Sequence, residues 1–116
     1  MKSVARSALL PYSTQQMFDV VNNVEAYPDF LPWCESSEVL EASEKSLTAR
    51  LCIAKGGVKQ SFVTRNDLNP PDHMHLQLVE GPFRILEGDW QFKPLGDDGC
   101  RIEMNLRFEM DSGHYE

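Results

Sequence analysis

The chain has 116 residues, of which 41% are hydrophobic and 25% are charged, and its formal net charge is −7. This length fits a single domain over residues 1–116, and the acidic balance argues against DNA and other broad nucleic-acid binding, which needs many cations facing phosphates. No apolar run is long enough for a transmembrane segment or a secretory signal, so we expect a cytoplasmic protein. Cys34, Cys52 and Cys100 lack metal-binding spacing and are expected to be reduced thiols.

The N-terminal third predicts a strand followed by a helical corner. Residues 2–10 predict the strand. Ser13 begins a helix, with Gln16 three residues later as a capping box. An apolar stripe at i, i+3, i+4 and i+7 spacing is formed by Met17, Val20, Val21 and Val24. Because prolines cannot continue a helix, Pro28 and Pro32 limit the next segment to two short helical turns, and we expect this corner to pack on a sheet.

After Trp33 the sequence predicts only strands and turns. The predicted strands are residues 35–42, 47–53, 58–68, 73–80, 84–94 and 101–110. Between Arg84 and Phe92 apolar and polar positions alternate with period 2, which is typical of an antiparallel strand with one solvent-exposed face. Gly88 lies on the apolar face, which indicates a bulge or a gap there. Which face residues 58–68 bury stays open. The order predicts an α+β fold with helices on one face of an antiparallel sheet.

Several motifs together resemble one family. They are Pro11-Tyr12-Ser13, Tyr27-Pro28, Phe30-Leu31-Pro32-Trp33-Cys34 and Gly81-Pro82-Phe83. The chain is similar to the coenzyme Q-binding and ribosome-association toxin (RatA-like) family of the START-like, polyketide cyclase/dehydrase superfamily. This resemblance implies a helix-grip fold, in which a curved antiparallel sheet grips a long C-terminal helix around an apolar cavity. Residues 111–116 form a short polar tail instead, so we expect that helix to be truncated in this sequence.

The resemblance also implies a site for a hydrophobic ligand such as ubiquinone or another isoprenoid. An isoprenoid tail offers no hydrogen bonds, so aromatic and aliphatic side chains suit it. The candidate ligand-binding residues are Phe30, Leu31, Trp33, Leu51, Phe62, Leu76, Leu78, Phe83, Trp90, Phe92, Met104 and Leu106. For any one of them, a place in the ordinary core is the alternative.

Each group of polar residues that could form a functional site also has a simpler structural explanation. Lys55, Lys59, Arg65 and Arg84 are candidates for ribosomal contact, and scattered solubilising charges are the alternative. His73 and His75 share one face of a strand, but two ligands are too few for a metal site, so no metal is expected. The carboxylates of Glu80, Glu87 and Asp89 could do acid/base work, but a solvated surface is the favoured interpretation, so no catalytic residue is assigned.

We therefore predict a non-enzymatic protein that needs no cofactor and binds a quinone or similar lipid in support of respiration. The alternative from the same resemblance is a toxin that binds the large ribosomal subunit through its outer face and blocks subunit joining. A cyclase-like enzyme is the third hypothesis. The sheet carries more large apolar side chains than one short helix covers, so a homodimer that covers the open groove is a further expectation.

Overall fold

A computed structural model describes residues 1–111 of the chain, except for the side chains of Lys55 and Val58. Its strands are β1 (Lys2–Leu10), β2 (Cys34–Ala42), β3 (Ser46–Lys55), β4 (Val58–Asn69), β5 (His73–Glu80), β6 (Phe83–Leu95) and β7 (Gly99–Met110). Its helices are α1 (Thr14–Asn22), a short 3₁₀ helix (Val24–Ala26) and α2 (Tyr27–Phe30). The expected α+β plan, with helices following the first strand and a long antiparallel meander after them, is confirmed. A polar tail is expected at residues 111–116. Beyond residue 111, that tail lies outside the described residues.

The seven strands form one curved antiparallel sheet in the order β1-β7-β6-β5-β4-β3-β2. Consecutive strands from β2 to β7 are neighbours, and β1 joins the far edge beside β7. Register shifts in the β2–β3, β4–β5 and β6–β7 pairs lie at Cys34/Ser36, Val39/Glu41, Val63/Thr64 and Phe83/Ile85. Because bulges of this kind bend the strand that carries them, they help to curve the sheet around one face.

The helix α1 begins as the sequence predicts, but the buried stripe differs from the expected one. The Ser13 hydroxyl accepts from the Gln16 backbone N–H, and the Gln16 side chain accepts from the Ser13 N–H. Phe18 is 2% exposed, whereas Val20 is 51% exposed. The prediction that placed Val20 in the stripe was wrong, because α1 ends at Asn22 and its buried face is centred on Phe18.

Two hydrogen bonds from hydroxyl groups stabilise the helical corner, one within it and one that attaches it to the sheet. The Tyr27 hydroxyl donates to the backbone carbonyl of Val21, and the Ser37 hydroxyl of β2 donates to the carbonyl of Val24 over 2.7 Å. Burial, and to a smaller extent the nearby Cys34, raises the pKa of Tyr27 to about 12. Tyr27 therefore stays neutral and acts as a structural donor.

Two apolar clusters form the core beneath the helices. The first contains Phe18, Met74, Phe92, Cys100 and Ile102, with Trp90 packed against it. The second contains Val24, Leu47 and Ala49. We call the face of the sheet that carries these residues the inner face, and the opposite face the outer face. The predictions that Trp90 and Phe92 face a core and that Leu47 and Ala49 point inward are confirmed.

The structure also settles two points that the sequence left open. Phe62, Thr64 and Asn66 pair with Leu51, Ala49 and Leu47 of β3, so the even-numbered residues of β4 face inward. Gly88 is in regular register, and a Cβ atom there would lie 2.7 Å from the Asn105 carbonyl oxygen and 3.0 Å from a Leu106 methyl group. The gap expected at Gly88 is therefore filled by β7.

All three cysteines are free thiols, and Cys34 and Cys100 are buried. Burial raises the pKa of the Cys34 thiol, which favours its neutral form. The described helices are all too short or too polar to cross a membrane.

Candidate ligand-binding face

Strand register arranges the inner face in rows that cross the sheet. One row contains Leu68, Met74, Trp90 and Met104. The next contains Leu47, Asn66, Leu76, Gly88 and Leu106. A third contains Ala49, Thr64 and Leu78. Because side chains of one strand alternate between faces, these rows place residues that are distant in sequence side by side.

The helices bury one end of these rows more completely than the other. Phe18 of α1 packs against Phe92, and Met74 is 0% exposed beneath them. Leu76, Leu78 and other apolar residues farther along the strands stay partly exposed, although they lie at the centre of the sheet. The inner face is thus a trough with a covered end and an accessible end.

Most of the predicted ligand residues converge on this trough. Leu51, Leu76, Leu78, Trp90, Met104 and Leu106 are partly exposed on the inner face. Phe92 is only 2% exposed and packs under α1, so in this structure it is a core residue. The sequence pattern thus predicts the face correctly but does not separate its core from its accessible part.

Phe62 and Phe83 lie together at the end of the trough that is farthest from α1. Their ring centroids are 5.3 Å apart at an interplanar angle of 81°, which is the edge-to-face geometry that aromatic rings favour. Gly81, with φ of 155°, allows this approach, because a Cβ atom at that position would lie 2.6 Å from the Phe62 Cβ. The Gly-Pro-Phe corner therefore places an aromatic pair at the accessible end of the trough.

The predicted mouth residues lie at the β2 edge of the sheet. Phe30 ends α2 and is 55% exposed, and Trp33 is 43% exposed just before β2. Leu31 between them is partly exposed, and α2 packs against β2 and the 3₁₀ helix. Phe30 also contacts Tyr27 edge to face, with ring centroids 5.9 Å apart. These three residues flank the trough beside β2, whereas its walls come from β3 to β7.

The sequence prediction missed two polar residues of the inner face. Asn66 is 7% exposed and Thr64 is 5% exposed, both among apolar neighbours at the centre of the sheet. The Asn66 Oδ1 atom has no hydrogen-bond partner among the described residues. Burying such an acceptor unpaired costs about 1–3 kcal/mol. The alternation of Thr64, Asn66 and Leu68 was the available signal, but it does not identify the buried face, because both faces of β4 mix polar and apolar residues.

The outer face carries a polar cluster around Asp89. Its Oδ1 atom lies 2.8 Å from His73 Nε2 and 2.9 Å from His75 Nδ1. Burial alone would raise the pKa of Asp89, but hydrogen bonds from His75 and His73 outweigh it and hold that pKa below its ordinary value. Glu87 lies beside His75 and is paired with Arg107. Within residues 1–111, no group of three or more potential ligand side chains is arranged to hold a metal ion.

The basic residues proposed for ribosomal contact are each paired with an acid where the structure describes their side chains. Lys59 lies 2.9 Å from Glu35, Arg65 lies 3.1 Å from Asp67, and Arg84 lies 3.4 Å from Glu109. The Lys55 side chain lies outside the described part of the structure. Hydrogen bonding to Lys59 lowers the pKa of Glu35, so this pair is charged at neutral pH. Acidic neighbours thus partly neutralise Lys59, Arg65 and Arg84.

Two surface depressions lie near the ends of the strands, outside the accessible part of the trough. One has a volume of about 590 Å³ and is lined by Asn69, Asp72, His73, Gln91, Phe92, Lys93 and Pro94. The other has a volume of about 530 Å³ and lies between α1 and the β2–β3 turn, where it includes Phe18, Asn22 and Leu68. Phe92 is the single predicted ligand residue in either lining. Both are shallow and partly polar, so we favour the trough as the site for an apolar molecule.

Residues 10–116 match the family model described as polyketide cyclase/dehydrase and lipid transport. A relative from Pseudomonas aeruginosa, named ribosome association toxin RatA, is 50% identical over 91% of this chain and 74% of its own length. A relative of the same name from Escherichia coli is 44% identical over 94% of this chain and 69% of its own. The Xenopus laevis protein named coenzyme Q-binding protein COQ10 homolog B, mitochondrial, is 30% identical over 93% of this chain and 46% of its own.

Solved structures share the fold at lower sequence identity. The Streptomyces aromatase/cyclase Zhui superposes with a TM-score of 0.84 at 20% identity, covering 94% of this chain and 68% of its own. A START superfamily protein from Mycobacterium smegmatis gives a TM-score of 0.79 at 22% identity, covering 93% of this chain and 77% of its own. At these identities the likeness concerns the fold alone.

Proposed function

Because the chain belongs to the polyketide cyclase/dehydrase and lipid transport family, we propose that its inner face binds a hydrophobic small molecule, ubiquinone or another isoprenoid, in support of respiration. The family model and the relatives confirm the resemblance that the sequence motifs indicated. The observation that carries the proposal is the trough itself, in which apolar side chains at the centre of a sheet remain partly accessible. The name of the Xenopus laevis relative supports a quinone as the ligand.

The trough offers an apolar ligand a continuous contact surface. Leu76, Leu78 and Leu106 are partly exposed in its middle, and the Phe62–Phe83 pair borders its accessible end. Each Å² of apolar surface that a ligand covers contributes roughly 25 cal/mol, before the cost of association is subtracted. A flexible isoprenoid tail is suited to such a surface because it needs no hydrogen bonds along its length.

The position of the titratable groups supports binding rather than catalysis. The cluster of His73, His75 and Asp89 lies on the outer face. A molecule in the trough is separated from these side chains by the sheet, so they cannot transfer protons to it. The aromatase/cyclase among the structural neighbours shares the fold, and we assign no cyclase chemistry to this chain.

Extraction of the purified protein with organic solvent, followed by mass spectrometry, tests the proposal. We expect a quinone or another isoprenoid lipid in amounts that approach one molecule per chain. A matched purification of an unrelated protein from the same cells is the control for lipid carried over nonspecifically. Recovery of the same lipids from the control, together with failure to bind added ubiquinone, would contradict the proposal.

Ribosome association is the second candidate, and the names of the relatives favour it. Two relatives that are 44% and 50% identical over more than nine-tenths of this chain are named ribosome association toxins. In this proposal the chain acts in the cytoplasm, docks on the large ribosomal subunit through its outer face, and blocks subunit joining. Since the trough lies on the opposite face, bound ligand and bound ribosome do not compete for the same residues.

A sucrose gradient of cell lysate tests this second candidate. We expect the protein to sediment with the large subunit, and an excess of it to lower the fraction of joined ribosomes. Sedimentation at the top of the gradient, with unchanged ribosome profiles, would contradict it. The homodimer expected from the sequence stays a prediction, since no feature of the described residues selects a second copy over a small ligand.

A further inference from the structure

We infer that Asn66 and Thr64 bind the polar end of the hydrophobic ligand, and that this end carries a hydroxyl group which donates a hydrogen bond to the Asn66 amide oxygen. The inference rests on the proposed ligand-binding function of the trough and specifies what the ligand must look like there. It assigns a polar anchor to a face that otherwise offers apolar contacts along its central rows.

The hydrogen bonding of Asn66 leaves one acceptor unused. Asn66 is 7% exposed, and its Nδ2 atom lies 4.0 Å from the Met74 sulfur, a weak acceptor. The Oδ1 atom is itself almost fully covered and has no partner anywhere in residues 1–111, so a ligand donor reaches it only by displacing the side chains that lie over it. An amide oxygen only accepts hydrogen bonds, so the group that completes this site must be a donor. Phenols, quinols and isoprenoid alcohols have such a donor, whereas a carboxylate and an oxidised quinone do not, so of the quinones proposed above only the reduced quinol form fits this anchor.

The fold gives no structural reason for an asparagine at this position. Residue 66 lies in the middle of β4, between Leu47 of β3 and Leu76 of β5, away from turns and helix caps. Asparagine is unfavourable in strands, and leucine has the same branched shape and number of side-chain heavy atoms without an unpaired acceptor. Buried polar groups in proteins nearly always have a partner, and on the inner face a bound ligand is the group that can supply one to Asn66.

Thr64 extends the polar spot along the same strand. It is 5% exposed, two residues from Asn66 on the same face, with the small Ala49 on one side and Leu78 on the other. Its hydroxyl both donates and accepts, so it suits the same oxygen of a bound hydroxyl group. The partly exposed Leu76 and Leu78 run beside these two residues on β5. The head therefore lies over β4, and the apolar tail follows β5 and β6.

Two ligands that differ only in the donor test the inference. Isothermal titration calorimetry would compare para-pentylphenol with para-pentylanisole, in which a methyl ether replaces the hydroxyl group. Because one hydrogen bond to a buried acceptor is gained, we expect the wild-type protein to bind the phenol about tenfold more tightly. In Asn66→Leu the two affinities should become equal. Asn105→Leu, on the exposed outer face of β7, is the matched control and should keep the wild-type preference.

The outcomes separate this inference from the function on which it rests. Equal binding of both ligands by the wild type would overturn the anchor while leaving an apolar ligand site intact. A preference that persists unchanged in Asn66→Leu would also overturn it. No binding of either ligand, or of ubiquinone, would overturn both proposals. If the leucine variant does not fold, Asn66→Met makes the same test with a more adaptable side chain.

Discussion

Phe18 of α1 packs on Phe92 of β6, with ring centroids 5.4 Å apart and ring planes inclined by 59°. Each residue is 2% exposed, and together they join the helical corner to β6, one of the strands that line the trough. Replacing Phe18 by alanine should therefore lower the free energy of unfolding by about 3–5 kcal/mol. Chemical denaturation measures this loss.

The matched control for this prediction is Val20→Ala. Val20 lies on the same helix but is 51% exposed, so its replacement should change stability by about 0.5 kcal/mol or less. Equal losses in the two variants would show that α1 is rotated from the orientation described above.

Trp90 links the core to the accessible part of the trough. It packs against the first core cluster, stacks on Phe92 with centroids 6.4 Å apart, and remains partly exposed. Trp90→Ala should cost up to about 3–5 kcal/mol of stability and should also weaken quinone binding. Thermal melting and ligand titration measure the two effects. An unchanged melting temperature would mean that the assigned facing of β6 is wrong.

The Asp89 cluster predicts a dependence of stability on pH. Hydrogen bonds from His75 and His73 hold the pKa of Asp89 below its unfolded value, so the ionised carboxylate favours the folded state. This contribution is complete above the ordinary carboxyl pKa of about 3.9 and is lost as pH falls through the lower folded pKa. Asp89→Asn should therefore be less stable than the wild type near neutrality and should approach it in strong acid.

Near neutral pH the stability of wild type and Asp89→Asn should differ by about 1 kcal/mol or less, because the side chains involved are about one-third exposed and solvent screens their charges. Denaturation curves at several pH values measure it. Asp98→Asn, in the β6–β7 turn, removes the same charge away from the cluster and is the control. If the difference in unfolding free energy between wild type and Asp89→Asn stayed constant down to strong acid, the stabilising role of the ionised Asp89 would be contradicted.

Charge reversal tests whether the outer basic residues contact the ribosome. Lys59→Glu and Arg84→Glu together should abolish co-sedimentation while changing stability by about 0.5 kcal/mol or less, since both residues are exposed. Lys93→Glu, in a comparable surface ion pair with Glu103, is the control and should retain binding. Co-sedimentation that survives the double reversal would remove these residues from the proposed contact.

The sequence predicts β6 well because it alternates with little ambiguity, as Leu86 to Phe92 show, whereas β4 mixes polar and apolar residues on both faces and its facing stays open. The start of α1 is equally predictable, since the Ser13–Gln16 capping box is a local interaction. The buried side of α1 is not predictable from the sequence, because Phe18 and Val20 are both apolar and packing on the sheet decides which one is covered. The burial of Asn66 is not predictable from the sequence for a related reason: it depends on β3 and β5, which are its neighbours only through the register of the sheet.

Titration with a short-chain ubiquinone analogue tests most directly whether the trough binds a hydrophobic ligand. Adjacent residues of β5 provide the comparison, because Leu78 faces the trough whereas Val79 is 56% exposed. We expect saturable binding by the wild type, about tenfold weaker binding by Leu78→Ala, and unchanged binding by Val79→Ala. Absence of saturable binding in the wild type, or equal effects of the two substitutions, would contradict the account.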